Sequence, residues 1–287
     1  MKKTQLLRNL WYGLTSNQRF LIRRLYYLPQ DVFDKLAGRT HKYVPPRGLI
    51  YTGSAISAKR YLRQGELQLQ LLKEEIDLKP SDKILDIGSG VGRTAIALTS
   101  YLDKTGSYDG FDVVKKGVDW CNSGIGNDFS NFNFKYVPLF NDLYNTSKNS
   151  SLDFEFPYEE KTFTKIFTFS VFTHMPLDEI QHYFSQMRSV LTDDGLCFST
   201  FFLYDSNDED YVATRKDFNF PIKGEDGFRL MSENVKSGNI AIHKAKLDEM
   251  LKRSNLKKVK VIDGFWKDDV RDASKKEYQD IVVFKKA

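Results

Sequence analysis

The sequence contains few cysteines and no long apolar run. Only two of its 287 residues are cysteine, Cys121 and Cys197, and neither belongs to a CxxC pair. We therefore expect no disulfide framework and no zinc site, and a reducing cytoplasm fits this composition. A membrane-spanning helix needs about 18 consecutive apolar residues, and the chain has no such run. The Lys2-Lys3 start lacks the apolar core of a signal peptide, so none is expected.

Positive charge is concentrated in the N-terminal segment. Residues 1–50 carry a formal charge of +8, whereas the remainder of the chain sums to −3. Within residues 1–28 there are six basic residues, five aromatic ones after position 10 and no acid. Such a segment can form a lid on its own domain, contact an anionic membrane surface peripherally, or bind nucleic acid. The lid is the favoured interpretation, and nucleic acid is the least favoured because the rest of the chain is slightly acidic.

The hydrophobic pattern predicts a helical extension followed by an α/β domain. Residues 1–56 show two stretches of helical spacing, a further short helix from Pro29 to Gly38, and a loop. Residues 57–287 alternate strands with helices, which is typical of a parallel sheet covered on both faces. The last two strands have no helix between them, so an antiparallel strand is expected at the end. We expect residues 203–240 to be an irregular insertion that shapes an acceptor site. Seven strands are predicted, at 83–87, 107–112, 132–137, 163–169, 195–202, 257–263 and 279–285.

A glycine-rich turn follows the first strand. The stretch Ile84–Arg93 reads ILDIGSGVGR, with an acid two residues before the first of three glycines. A strand, a glycine turn and a helix form a seat for a nucleotide-type cofactor. A dinucleotide fingerprint would be G-x-G-x-x-G, but its third glycine position holds Arg93. The acid, Asp86, would repel a pyrophosphate and suits an amine-bearing ligand.

This combination resembles motif I of the class I S-adenosylmethionine-dependent methyltransferases. The resemblance covers residues 57–287 and implies a Rossmann-like sheet of seven mostly parallel strands with an antiparallel last strand. It further resembles a bacterial subgroup that modifies glycans and small molecules. S-adenosyl-L-methionine is the implied cofactor. The resemblance implies cofactor contacts at Asp86, Gly88, Ser89, Gly90, Gly92, Arg93, Asp112, Val113, Leu139, Phe140 and Ser170.

The ends of the second and third strands carry specific expectations. Asp112 lies 26 residues after Asp86, at the end of the second strand, where a carboxylate can accept both ribose hydroxyls. Many family members have an Asp after the third strand for the adenine, but this chain has Pro138-Leu139-Phe140. Backbone groups and the apolar walls of Leu139 and Phe140 would have to serve instead.

The fourth strand runs into Ser170-Val171-Phe172-Thr173-His174-Met175, in the region that resembles motif IV. The Asn-Pro-Pro-Tyr sequence of amino-group methyltransferases is absent, and the ending is closer to that of small-molecule and sugar O-methyltransferases. His174 can act as the general base for an acceptor hydroxyl, or it can have a structural role in the turn. Tyr51, Tyr61 and Tyr204 are candidate acceptor contacts. No metal site is expected.

O-methylation of a saccharide or a similar hydroxylated small molecule, free or lipid-linked, is therefore the predicted function. RNA or protein methylation is an alternative. A non-catalytic scaffold is disfavoured because Asp86, the three glycines and Asp112 are all present. An NAD-dependent oxidoreductase is disfavoured by the G-x-G-x-G spacing.

Overall fold

The computed structural model describes residues 14–51, 53, 56–140, 147, 149–232 and 238–287. Its helices are α1 (Ser16–Leu36), α2 (Ala58–Ile76), α3 (Arg93–Leu98), α4 (Lys115–Cys121), α5 (Leu177–Val190), α6 (Glu209–Thr214) and α7 (Lys244–Arg253). Its strands are β1 (Lys83–Ile87), β2 (Ser107–Asp112), β3 (Phe132–Tyr136), β4 (Phe163–Thr168), β5 (Leu191–Phe201), β6 (Leu203–Tyr204), β7 (Ile222–Lys223), β8 (Phe228–Leu230), β9 (Ile240–His243), β10 (Leu256–Ile262) and β11 (Asp280–Lys286).

Seven strands form the central sheet, in the order β10-β11-β5-β4-β1-β2-β3. Strands β1 to β5 pair in parallel, whereas β11 is antiparallel to both of its neighbours, β5 and β10. The predicted Rossmann-like α/β sheet with an antiparallel last strand is thus confirmed. The chain runs outward in opposite directions from β1 and β4, and ligands bind at such a switch point in open α/β sheets.

Side chains of the sheet alternate between two hydrophobic cores. Along β11, Ile281 and Val283 join the core that contains α2, α3 and α4, while Val282 and Phe284 join the core that contains α5 and α7. Successive strand residues point to opposite faces, so both faces of the sheet are covered by helices. This packing fixes the carboxyl ends of β1, β2 and β4 relative to one another.

The expected break at Pro29 is wrong, because α1 runs through this proline as one helix of 21 residues. A proline inside a helix removes one backbone hydrogen bond and strains the preceding turn. Contacts on both sides of Pro29 offset this cost. Arg23 donates to the carbonyl oxygen of Ile50, and beyond the proline Arg47 pairs with Asp31. The predicted helical piece within residues 1–13 lies outside the described residues.

The insertion that was expected to be irregular contains ordered structure. Helix α6 and strands β7 and β8 lie within it, and a second sheet has the order β6-β9-β8-β7. The strands have two to four residues, too few for a periodic pattern to be read from sequence. A small aromatic core holds this sheet in place and is made of Phe202, Tyr204, Val212, Phe220, Ala241 and Trp266.

Asp280 connects the small aromatic core to the central sheet. Its buried carboxylate accepts hydrogen bonds from the Nε1–H of Trp266 at 2.7 Å and from the backbone N–H groups of Gly264 and Leu203, each at 2.8 Å. Burial raises the pKa of Asp280 to about 6. Three donors therefore depend on one carboxylate that water cannot replace.

We predict that Asp280→Ala lowers the free energy of unfolding by roughly 3 kcal/mol or more, because buried donors without a partner cost about 1–3 kcal/mol each. Urea unfolding followed by circular dichroism measures this change. Asp193→Ala is the matched control: this carboxylate is 65% exposed and pairs with Lys161 and Lys286, and such surface pairs contribute less than about 1 kcal/mol. Equal effects for the two variants would contradict the role of Asp280.

Candidate functional site

The glycine turn follows β1 directly and has left-handed backbone geometry. Gly88, Gly90 and Gly92 have φ values of 81°, 60° and 80°, a region that residues with a side chain rarely adopt. At Gly88 a Cβ atom would also lie 2.4 Å from Cγ2 of Val171, in the turn after β4. Glycine is therefore required here by backbone conformation and by the close approach of a neighbouring segment.

Asp112 holds this turn from the end of β2. Its carboxylate accepts from the N–H of Gly90 at 2.9 Å, from the N–H of Val114 at 2.8 Å and from the Tyr51 hydroxyl at 3.0 Å. Burial raises the pKa of Asp112, and these hydrogen bonds oppose that rise. The charged form is thus stabilised by a preformed set of donors at the edge of the turn.

Asp86 lies behind the turn. Its carboxylate accepts from the Tyr108 hydroxyl at 2.6 Å, and the residue is 4% exposed. Burial raises the pKa of Asp86 to about 7, a change that the Tyr108 hydrogen bond opposes and the nearby Asp112 charge increases. Asp86 therefore titrates near neutral pH.

The turn after β4 is strained. Ser170 has a φ of 57°, which costs a residue with a side chain about 1–3 kcal/mol. Its neighbours hold it there: its N–H donates to Oγ1 of Thr200 at 2.8 Å, and its hydroxyl donates to Oε1 of Gln279 at 2.9 Å. The turn leads into a short 3-10 helix, Phe172–His174, and so directs His174.

A cavity of about 250 Å³ lies between these segments. Its walls include nine residues that the sequence predicted, namely Tyr51, Gly88, Arg93, Asp112, Val113, Leu139, Phe140, Ser170 and His174. The structure therefore brings the ends of β1, β2 and β4 together with the loop after β3. This is the position expected for a ligand in an open α/β sheet.

Other predicted residues lie outside this cavity. Ser89, Gly90 and Gly92 form the turn beneath it, next to Asp86. Tyr61 is fully buried under the turn, where its hydroxyl donates to the carbonyl of Val91 at 3.4 Å. Tyr204 belongs to the small aromatic core and contacts His243 edge to face. No described residue of the insertion lines the cavity.

Four polar residues line the cavity that sequence reasoning did not select: Gln68, Ser151, Glu179 and Tyr183. Gln68 comes from α2 and accepts from the Thr94 hydroxyl at 2.8 Å. Glu179 stands in the first turn of α5, five residues after His174. That closeness to His174 was the one available signal for Glu179, whereas Gln68 and Ser151 are distant in sequence from every motif.

Ser151 is the most informative of the four. It is 5% exposed, and among the described residues its hydroxyl has no hydrogen-bond partner. A buried polar group without a partner is costly, and such groups often mark ligand sites. The backbone N–H groups of Leu139 and Phe140 are already donated, to the carbonyls of Val137 and Asn149. In the part of the chain that the structure describes, the Ser151 hydroxyl is therefore a polar group of this wall with unused hydrogen-bonding capacity.

A family model described as "Methyltransferase domain" matches residues 58–261, well over half of the chain. The chain belongs to this methyltransferase family. It is an enzyme that uses S-adenosyl-L-methionine as its methyl donor, as the resemblance in sequence implied. The match concerns the methyltransferase family as a whole and does not extend to the subgroup that modifies glycans and small molecules.

Two solved structures show the same fold. The PH0226 protein of Pyrococcus horikoshii OT3 is 15% identical, with coverage of 88% of this chain and 99% of that chain and a TM-score of 0.53. A chain of the complex between the Haloferax volcanii Trm112 methyltransferase activator and a methyltransferase is 11% identical, with coverage of 79% and 92% and a TM-score of 0.51. At these identities the likeness concerns the fold.

The residues present fit the cofactor. A nucleoside needs a hydroxyl acceptor, an apolar wall and close approach to backbone, and the cavity provides Asp112, Leu139 and Gly88 for these needs. The unpartnered Ser151 hydroxyl is available for a ring nitrogen or an amino group.

In the described ranges, no group of three or more His, Cys, Asp or Glu side chains could hold a metal ion. No helix among the described residues has the length and apolar character needed to cross a membrane.

We predict that Asp86→Asn changes the pH dependence of stability. The pKa of Asp86 is raised from 3.8 to about 7 in the folded protein, so the folded state binds the proton more tightly than the unfolded state. Wild-type stability, relative to the variant, should fall by a few kcal/mol between about pH 4 and 7, because one pKa unit corresponds to about 1.4 kcal/mol. Urea unfolding across this range measures the difference. Parallel curves for the two proteins would contradict the shifted pKa.

Proposed function

We propose that this methyltransferase acts on a hydroxyl oxygen of a small molecule, with saccharides as the first acceptor class to test. The observation that carries the proposal is the composition of the cavity. One cavity of about 250 Å³ is lined by Asp112, whose carboxylate can accept hydrogen bonds from ribose hydroxyls, and by the titratable side chains of His174 and Glu179. A cleft with a mainly apolar lining and a few convergent polar groups is typical of a site for small molecules.

On the cofactor side, we propose separate roles for the walls. Asp112 accepts the ribose hydroxyls, and Tyr51 gives up its hydrogen bond to that carboxylate when they bind. Ser151, Leu139 and Phe140 face the adenine. Arg93 and Gln68 face the amino-acid end, for which a guanidinium suits the carboxylate.

On the acceptor side, the bound cofactor supplies a methyl group on a positively charged sulfur. As the acceptor oxygen bonds to the methyl carbon and the carbon–sulfur bond breaks to leave a neutral thioether, His174 would accept the proton that the acceptor hydroxyl loses. Glu179 stabilises the positive charge that His174 then carries. The strained turn at Ser170 keeps His174 in place, and positioning supplies much of the rate. The Asn-Pro-Pro-Tyr sequence that binds acceptor amines is absent, which favours oxygen over nitrogen.

We predict that Asp112→Asn raises the Kd for S-adenosylhomocysteine at least about tenfold, because hydrogen bonds to a charged group contribute about 1.5–3 kcal/mol. Isothermal titration calorimetry measures this, and circular dichroism checks the fold. Asp119→Asn, an exposed carboxylate on α4, is the matched control and should bind like wild type. Unchanged affinity in Asp112→Asn would contradict the ribose assignment.

The same titrations test Ser151. Ser151→Ala should weaken binding several-fold because the ligand loses its hydrogen bond to this hydroxyl. Ser199→Ala removes another buried hydroxyl without a partner among the described residues, but Ser199 does not line the cavity. Binding should therefore be unchanged in Ser199→Ala. Equal binding by the two serine variants would remove Ser151 from the site.

We predict that His174→Asn lowers kcat by about 10²-fold or more, the usual contribution of a general base, with the Kd for S-adenosylhomocysteine within about twofold of wild type. Transfer of labelled methyl groups to a panel of monosaccharides, glycosides and amines measures this and identifies the acceptor by mass spectrometry. His41→Asn, an exposed histidine outside the cavity, is the control. Methylated amines in place of methyl ethers would contradict the acceptor class, and full activity in His174→Asn would exclude it as the base.

A further inference from the structure

Helix α1 is attached to the domain by the side that carries Phe20 and its two acids. The carboxylates of Asp31 and Asp34 both pair with Arg47, whose side chain is only 14% exposed. The backbone of Arg24 lies so close to Gly48 that a Cβ there would be 2.6 Å from the Arg24 Cα. A helix of a globular protein normally places its apolar side against the core, but most apolar side chains of α1 lie on the side away from the domain.

The apolar side of α1 faces solvent. Its exposed fractions include 61% for Leu25, 60% for Phe33 and 83% for Leu36. At 3.6 residues per turn the exposed apolar positions fall within one arc of roughly 160°, about 22 Å long. Monomeric soluble proteins rarely leave a continuous apolar surface of this kind uncovered. The members of this apolar face are Leu21, Ile22, Leu25, Tyr26, Leu28, Val32, Phe33 and Leu36.

The charges around the apolar face are positive. Arg24 and Lys35 border one edge, Arg19 borders the other, and Arg39 lies 5.4 Å from the centre of the Phe33 ring. Both acids of α1 point the other way and are neutralised by Arg47. The face therefore combines apolar side chains with cations, and no carboxylate of α1 lies on it.

We propose that α1 lies on an anionic lipid bilayer, with its apolar face inserted between the headgroups and its basic edges on the lipid phosphates. Helices with an apolar face and flanking cations bind such surfaces in the interface plane. An RNA would match the cations but leave eight apolar side chains in water, so the chemistry of the face favours lipid. The proposal concerns a surface outside the cavity, and it stands whichever acceptor is methylated.

The attachment of α1 also connects this surface to the cavity. The Phe20 ring of α1 packs edge to face on Tyr51, with the ring centres 5.8 Å apart, and the Tyr51 hydroxyl donates to Asp112. A bilayer that holds α1 therefore holds a residue of the cavity wall. This consequence rests on the proposed function, in which Tyr51 releases Asp112 when ribose binds: lipid vesicles should then change the affinity for S-adenosylhomocysteine.

Vesicle flotation of the full chain tests the proposal. The probes are vesicles of phosphatidylcholine alone and vesicles with one part phosphatidylglycerol to three parts phosphatidylcholine. We expect flotation with the anionic vesicles, at least tenfold less with the neutral ones, and at least a tenfold loss for the double variant Leu25→Glu/Phe33→Glu. Val270→Glu changes an apolar residue that is 87% exposed elsewhere and should float like wild type.

Each other outcome overturns the proposal. Absence of flotation together with a dimer in sedimentation equilibrium assigns the face to a second copy of the chain. A third outcome is that the chain does not float and is a monomer, while Leu25→Glu/Phe33→Glu lowers its free energy of unfolding. This outcome assigns the apolar face to the chain's own residues 1–13. Binding to an RNA oligonucleotide without flotation assigns the basic edges to nucleic acid. S-adenosylhomocysteine titration of every variant separates these outcomes from loss of the cofactor site.

Discussion

The carboxylate of Asp112 determines the shape of the site because it connects two strands and a turn. It accepts from the N–H of Gly90, across from its own strand, and from the N–H of Val114, which immediately precedes α4. The turn can adopt its left-handed backbone only with glycine, and its N–H groups need an acceptor once they are buried. The arrangement that holds the turn also leaves a buried carboxylate at the edge of a cavity. The conformation of the turn and one wall of the cavity thus depend on one group.

The two acids of the site have different physical environments although they are neighbours. Among the described residues, Asp86 accepts from the Tyr108 hydroxyl and has a pKa near neutrality, whereas several hydrogen bonds to the Asp112 carboxylate oppose the effect of burial there. Asp86 is therefore connected to β2 through Tyr108 behind the turn, whereas Asp112 both holds the turn and lines the cavity. On the opposite wall, the strain at Ser170 is held by contacts from β5 and from the residue before β11. The antiparallel last strand thus contributes to the position of His174.

The parts of the site that are continuous in sequence could be predicted. The glycine turn and Asp112 follow buried strands whose carboxyl ends must meet at one edge of the sheet, and His174 follows another such strand. Gln68 and Ser151 come from a helix and a loop whose positions depend on tertiary packing, and no local pattern marks them. Tyr61 and Tyr204 were selected for their aromatic side chains near expected loops, but both side chains are buried in hydrophobic cores and do not line the cavity. Pro29 gave the wrong helix boundary because contacts with Arg47 and Ile50 outweigh its local preference.

The central claim is that one cavity holds the cofactor between Asp112 and Ser151 and presents its methyl group to His174. A crystal structure of the full chain with S-adenosylhomocysteine tests this most directly. The account predicts ribose density within hydrogen-bond distance of the Asp112 carboxylate, Tyr51 displaced from it, and the sulfur on the side of Ser170 and His174. Ribose bound elsewhere, or a sulfur directed away from His174, would contradict it.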